Sequence, residues 1–225
     1  MTLHFLREMD RLNGRLIEIG NRIEVQVSRA FHAVVQLDEA AARRVIRGDI
    51  EVDSNEIQME EECLKLLALY QPVAGDLRFI VAVLKINADL ERIGDHAKNM
   101  AEAAIKLSAG STIEIPESMH ANYKQSRLML RKTLLAFVEA DRELAEKVLA
   151  MDDEVDNMCR AELHHQIELI KKHPETAGQR LMLLSVCRQL ERIGDHASNI
   201  AEDVIYLLSG DIIRHGENVS RKSQG

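Results

Sequence analysis

The 225-residue sequence has no tryptophan, only 3% aromatic residues and only three prolines. Aromatic residues are enriched in strands, and proline is excluded from the interior of helices. Leucine, alanine, glutamate, arginine and isoleucine are abundant instead, and most of these residues favour helices. The composition therefore predicts an all-α protein with long helices.

The sequence also lacks the segments that membranes, secretion and nucleic acids require. No apolar run approaches the ~20 residues of a membrane span, and residues 1–10 have no apolar core of a signal peptide. There is no basic run, and the formal net charge of −8 disfavours binding to polyanions. We therefore expect a cytoplasmic protein without a nucleic-acid partner.

Cysteine is scarce, and the spacing of the cysteines does not suit disulfides or a zinc site. The three residues Cys63, Cys159 and Cys187 are an odd number, are widely spaced and form no C-x-x-C pair. Neither a disulfide framework nor a zinc ribbon can be built from them. The sequence predicts three buried free thiols.

The three prolines divide the chain into stretches with helical periodicity. Before, between and after Pro72, Pro116 and Pro174, apolar residues recur at steps of three and four. This pattern predicts six helices. The first helix ends near Asp38, the second near Tyr70 and the third at Gly110. The fourth helix starts near Glu117, the fifth starts near Asp141 and the sixth ends at Gly210.

The chain is an internal duplication. Leu90–Gly110 and Leu190–Gly210 share 14 of 21 aligned positions, and the first eight of these are identical without interruption. The duplication predicts two tandem, pseudo-symmetric antiparallel three-helix bundles made of six long helices. We place the first bundle at residues 1–113, the second at 114–213 and a polar tail at 214–225.

Each repeat carries two pairs of acidic residues spaced four apart, one on its second helix and one on its third. Residues four apart lie side by side on one helix face, so two carboxylates repel each other there by a few tenths of a kcal/mol. Something positive would relieve this repulsion. The pairs are Asp49 with Asp53, Glu91 with Asp95, Asp152 with Asp156, and Glu191 with Asp195.

The two pairs of each repeat lie at similar heights, because they are nearly equally far from the turn that joins their helices. The mismatch in the first repeat is about 3 Å at ~1.5 Å per residue. The pairs are therefore expected to form a four-carboxylate site, partly open to water, that suits iron, manganese, magnesium or zinc. Solvated acidic faces on a purely structural scaffold are the alternative.

His96 and His196 follow the acidic residues directly but lie ~100° around the helix from them. Capping, core-edge or inter-unit contacts are therefore expected rather than metal ligation. Ferritin-like iron enzymes need Glu-x-x-His on two helices, and the third helices lack that motif. There is also no glycine-rich phosphate loop and no hydrolase nucleophile elbow.

The repeated octapeptide Leu-Glu-Arg-Ile-Gly-Asp-His-Ala, the segment 71–78 and the segment 199–202 resemble the PhoU family over nearly the whole chain. The resemblance implies surface metal clusters, with iron or zinc in the first place and manganese or magnesium as alternatives. On this sequence the metal motif falls on Asp49, Asp53, Glu91, Asp95, Asp152, Asp156, Glu191 and Asp195.

The resemblance also implies a role in the cell. It implies a cytoplasmic, non-enzymatic regulator of phosphate uptake that represses the phosphate-starvation response. Such a protein would be an adaptor between the ATPase subunit of the phosphate-specific ABC transporter and a sensor histidine kinase. It would be a homodimer and would reach the membrane only through these partners. A carboxylate-bridged iron enzyme or a metal-storage bundle is the alternative function.

Overall fold

A computed structural model describes residues 3–110 and 113–210, together with the backbone of 213–214 and 217–218. Seven α-helices and one short 3-10 turn make up nearly all of this part of the chain. The helices are α1 (Leu3–Gln36), α2 (Glu39–Tyr70), α3 (Ala74–Ser108), α4 (Glu117–Glu139), α5 (Arg142–Leu149), α6 (Asp152–Lys172) and α7 (Ala177–Ser209).

The first unit consists of α1, α2 and α3, which are joined by short turns. Asp38 caps α2, because its carboxylate accepts a hydrogen bond of 2.8 Å from the backbone N–H of Ala41. At the other end of α2, Gln71 adopts a left-handed conformation with φ 45°. Pro72 follows, where it cannot interrupt a helix. These local signals turn the chain back on itself twice.

The second unit repeats this plan with α4, α5–α6 and α7. Asp141 caps α5 through a bond of 2.9 Å from the N–H of Leu144, as Asp38 does in the first unit. The fifth predicted helix is interrupted at Ala150 and Met151. Three consecutive acidic residues, 152–154, follow the interruption. Negative charge is favourable at a helix start, so these residues favour a new helix there.

The two units pack side by side through α3 and α7, and one continuous hydrophobic core runs through both. Each of these two helices also packs on the other helices of its own unit. Tyr123 of α4 stacks on Phe31 of α1 with ring centroids 4.1 Å apart, which adds a second contact between the units. The predicted all-α fold of two tandem, pseudo-symmetric three-helix bundles is confirmed.

Beyond α7 the described backbone forms two two-residue strands, β1 (Ile213–Arg214) and β2 (Glu217–Asn218), which pair antiparallel. The rest of the polar tail predicted for 214–225 lies outside the described residues. Among the helices described, none combines the length and the apolarity needed to cross a bilayer.

Candidate carboxylate sites

The first-unit site contains a buried carboxylate that is already neutralised. Asp49, in the first half of α2, is only 2% exposed, and the Nζ of Lys98 on α3 lies 2.6 Å from its Oδ2. The side-chain amide of Gln26 donates a hydrogen bond of 3.4 Å to its Oδ1. The pKa of Lys98 is raised, first by the bond to Asp49. A protein cation therefore sits where the sequence analysis expected a metal ion.

The acidic pair on α3 of the first unit is also compensated, although more weakly. Arg92 lies 3.5 Å from Glu91 and 3.7 Å from Asp95, on the exposed side of the helix. The pKa of Glu91 is raised, first by partial burial and then by Asp95. Glu56, which the sequence analysis did not select, joins this group, because its pKa is raised by partial burial, by Glu60 and by Asp53.

In the second unit the four predicted acidic residues form one electrostatic group. The pKa of Asp195 is raised to about 6, first by partial burial and then by Asp152, Glu191 and Asp156. The hydroxyl of Ser198 donates a hydrogen bond of 2.9 Å to Asp152, whose own pKa is raised by partial burial. The negative charge of this group is therefore poorly compensated from within.

Asp156 of this group forms an ion pair with the exposed Arg160 at 3.6 Å, and among the described residues the other three acidic groups have no cation at ion-pair distance. Ser198 occupies the position that corresponds to Lys98, one hundred residues earlier. The first unit thus has an ammonium group beside its buried carboxylate, whereas the second has a neutral hydroxyl. The two sites are not equivalent.

The donor sets of the two units fit a metal ion differently. In the described part of the chain, no three His, Cys, Asp or Glu side chains come together as ligands for one ion. The first-unit set does not fit a cation, because Lys98 already neutralises Asp49. The second-unit set fits in its chemistry, because burial and the neighbouring carboxylates raise the pKa of Asp195, and the partner of Asp152 is the neutral hydroxyl of Ser198 rather than an ammonium group.

A PhoU domain family model matches residues 16–104 and matches again at residues 123–204. The chain belongs to the PhoU family. The PhoU domain thus occurs once in each helical unit, as the internal duplication predicts.

Proteins related to this PhoU chain are similar over nearly its full length. A phosphate-specific transport system accessory protein PhoU homolog from Pseudomonas putida is 36% identical over 217 residues, covering 96% of this chain and 84% of that one. A homolog of the same name from Aquifex aeolicus is 33% identical over 227 residues, covering 99% and 100%.

Two crystal structures resemble this fold equally well, each with a TM-score of 0.88. PhoU from Pseudomonas aeruginosa is 35% identical, with 92% of this chain and 99% of that chain covered. The phosphate transport system regulatory protein PhoU from Streptococcus pneumoniae is 28% identical, with 93% and 99% covered.

The histidines of the two PhoU repeats meet between the units. The rings of His96 and His196 stack with centroids 5.3 Å apart. Nδ1 of His96 lies 2.9 Å from the amide oxygen of Gln189, and Nδ1 of His196 lies 2.7 Å from a carboxylate oxygen of Asp89. Gln189 and Asp89 are themselves equivalent positions. The histidines therefore make inter-unit contacts, as the sequence analysis expected.

Gly94 allows the helices of the first PhoU repeat to pack closely around the buried carboxylate of Asp49. A Cβ at this position would lie 3.2 Å from Ile23 and from Val52, and 3.9 Å from Asp49. Because Gly94 has no Cβ, α1 and α2 can approach α3 closely beside the Asp49–Lys98 pair.

Lys98 and Ser198 are the functional positions that sequence reasoning missed. They are the first mismatch after the identical octapeptide of the two repeats. The signal was therefore visible in the internal alignment, but the acidic residues alone defined the predicted site.

Proposed function

We propose that this protein is a non-enzymatic regulator of phosphate uptake in the cytoplasm. In this role it is an adaptor between the ATPase subunit of the phosphate-specific ABC transporter and a sensor histidine kinase, and it represses the phosphate-starvation response when phosphate is plentiful. It acts as a homodimer and reaches the membrane only through these partners.

The observation that carries this proposal is the match of both helical units to the PhoU domain. Related proteins of nearly the same length are named as accessory proteins of a phosphate-specific transport system. The described helices also offer long, exposed polar faces on which other proteins can dock, such as the acidic and basic surface of α2.

Deletion of the gene and complementation with the intact chain test this role. Loss of the protein should derepress phosphate uptake and phosphate-starvation genes in phosphate-rich medium, and complementation should restore repression. Normal repression in the deletion strain would refute the proposal. A pull-down from phosphate-replete cells should retain the ATPase subunit or the sensor kinase.

We further propose that the metal site is restricted to the second unit, with Asp152, Asp156, Glu191 and Asp195 as its ligands. Binding requires these side chains to turn toward one ion, which would relieve the carboxylate repulsion that, together with burial, raises the pKa of Asp195. In the first unit, Asp49, Asp53, Glu91 and Asp95 are then a metal-free counterpart, because Lys98 supplies the positive charge. Iron or zinc is proposed first, with manganese or magnesium as alternatives.

Elemental analysis of matched double variants tests the assignment of the metal site. Glu191→Ala with Asp195→Ala should remove bound metal, whereas Glu91→Ala with Asp95→Ala should leave the metal content unchanged. Loss of metal in both variants would assign a site to each unit. Unchanged metal content in both would favour a scaffold with solvated acidic faces.

An iron enzyme or metal store is the alternative function, and it predicts a different reaction. Aerobic addition of iron(II) would then give rapid ferroxidation or the uptake of many ions per chain. The Asp49–Lys98 pair does not favour this alternative, because it removes a carboxylate that a di-iron centre would use. Metal binding without redox turnover would support the regulatory adaptor.

A further inference from the structure

A groove with a volume of about 890 Å³ runs between α1 and α2, and Gln26, which donates a hydrogen bond to Asp49, also lines it. Three arginines and a histidine line it, together with a strip of small and apolar residues. We call it the basic groove. Its basic and acidic lining residues are Arg22, Arg29, His32, Arg44 and Glu51.

The charge of the basic groove is positive although the chain as a whole carries −8. Arg22 pairs with Glu51 at one end, and Arg44 reaches Asp38 only at 4.0 Å. Arg29 has no acidic partner within ion-pair distance among the described residues, and its side chain is exposed. The groove is therefore complementary to an acidic ligand.

In the second unit, side chains occupy the positions that correspond to the open part of the groove, as the internal alignment shows. Arg29 corresponds to Lys132, and Gly48 corresponds to Met151, at the offset of 103 residues that also relates the helix caps Asp38 and Asp141. The Nζ of Lys132 lies 3.6 Å from the sulfur of Met151. A Cβ placed on Gly48 would meet nothing within 4 Å, so the corresponding space in the first unit is open.

The cations are spread along the groove rather than gathered at one point. Arg22 and Arg29 are two helical turns apart on α1, which is about 10 Å at 1.5 Å per residue. Val25, which is 47% exposed, adds an apolar contact on the same lining. Together these features match an extended ligand with one apolar and one acidic side.

We propose that the basic groove is a docking site for an acidic amphipathic helix of a partner protein. Two antiparallel helices present a shallow channel into which a third helix packs, with its apolar side against Val25 and the open space at Gly48. Acidic residues along its flanks then face Arg29 on one wall and Arg44 on the other. That the partner belongs to the phosphate transport system rests on the proposed function.

Fluorescence anisotropy with a designed probe tests the groove directly. The probe is a labelled, N-acetylated helical peptide of about 14 residues, or roughly four turns, with leucine on one face and glutamate on both flanks. The full-length protein should bind it, and an analogue with glutamine in place of glutamate should bind roughly tenfold more weakly. Binding should weaken as ionic strength rises.

Matched variants locate the binding site. Arg29→Ala and Arg44→Ala should each weaken binding by roughly tenfold. Gly48→Met, which copies the second unit and fills the open space, should do the same. Lys132→Ala and Lys147→Ala alter the corresponding cations of the second unit and should leave binding unchanged. Thermal unfolding of each variant verifies that it is folded.

Several outcomes would overturn the proposal. The glutamate peptide could fail to bind, it could bind no better than the glutamine peptide, or it could respond to Lys132→Ala as strongly as to Arg29→Ala. Displacement of the peptide by inorganic phosphate at equal concentration would instead assign the groove to a small anion and would also overturn the proposal.

A second measurement separates this proposal from the proposed function. Membranes that carry the phosphate transport system should retain the wild-type protein and lose the Arg29→Ala and Gly48→Met variants. If the peptide results hold but these membranes do not retain the wild-type protein, the proposed function fails and the groove remains a helix-binding site. If the variants are retained as well as the wild type, the docking proposal fails and the proposed function stands.

Discussion

The ammonium group of Lys98 lies 2.6 Å from the carboxylate of Asp49, which is one of the few buried acidic groups among the described residues. Ser198 stands at the corresponding position of the second repeat and donates a hydrogen bond to Asp152 instead. One substitution therefore distinguishes two otherwise similar carboxylate sites. Several expected outcomes depend on this difference.

Lys98→Ser should make the first unit resemble the second. It leaves Asp49 buried without its cation, and removing one partner of a buried pair costs 3–5 kcal/mol. Because Lys98 is about one-third exposed, we expect a smaller loss of about 2 kcal/mol in the free energy of unfolding. Urea unfolding in the presence of a chelator measures the loss, with Lys106→Ser on the same helix as the control.

Ser198→Lys is the reciprocal change, and it should close the second site. An ammonium group beside Asp152 would neutralise the group that a metal ion is proposed to occupy. We expect metal affinity to fall by at least about tenfold and metal-free stability at neutral pH to rise. Calorimetric titration with zinc measures the affinity. Unchanged affinity would show that the metal lies elsewhere.

The stability of the metal-free protein should fall as the pH rises from about 4 to about 6, in part because of Asp195. Its pKa in the folded state is about 6, against 3.8 for an ordinary aspartate, so the folded state binds more protons in this window. Asp195→Asn should remove this part of the slope. The melting temperatures of both proteins over this pH range, measured in a chelator, provide the test.

Two glycines in helix interiors should respond oppositely to alanine. Gly48→Ala should stabilise the protein by about 1 kcal/mol, because alanine is the better helix former and the added methyl group meets open space. Gly94→Ala should destabilise it, because the methyl group would press on Ile23 and Val52 at 3.2 Å. Chemical denaturation of the pair gives the sign of each effect.

The three cysteines should resist modification in the native protein. Burial, followed by Glu62 and Glu60, raises the pKa of Cys63 to about 12. The pKa of Cys159 is also raised, first by its contact with Cys187 at 2.9 Å between the sulfur atoms and then by burial. A thiol reagent should therefore react slowly with the native protein and rapidly with all three thiols in denaturant. Rapid labelling of the native protein would contradict this burial.

Periodicity and duplication were sufficient to predict most of the fold. Apolar spacing and three prolines located the helices, because each turn depends on local signals such as the cap at Asp38. The interruption at Met151 was not predicted, since its apolar neighbours continue the helical period while the acidic residues 152–154 favour a new start. Apolar periodicity alone does not show whether a helix continues or a new helix starts at such acidic residues.

The sites were only partly predictable for a related reason. Their spacing predicted that the acidic residues of each unit lie at matching heights along the helices. In the second unit, after burial, the other three acidic residues raise the pKa of Asp195. Spacing along one helix did not reveal which cations lie nearby, because Lys98 is on α3 and its partner Asp49 is on α2. Whether a carboxylate is paired with a cation depends on contacts between helices. These contacts depend on how the helices pack, including the close approach of α1 and α2 to α3 at Gly94.

The stacked pair of His96 and His196 lies where corresponding surfaces of the two repeats face each other. In a dimer of identical chains, any substitution at such a surface is inherited by both halves at once. Fusion of the repeats into one polypeptide removes this constraint, so each half can mutate independently. A lysine could thus stand at position 98 and a serine at 198, and one half of the molecule could specialise while the other kept its original chemistry.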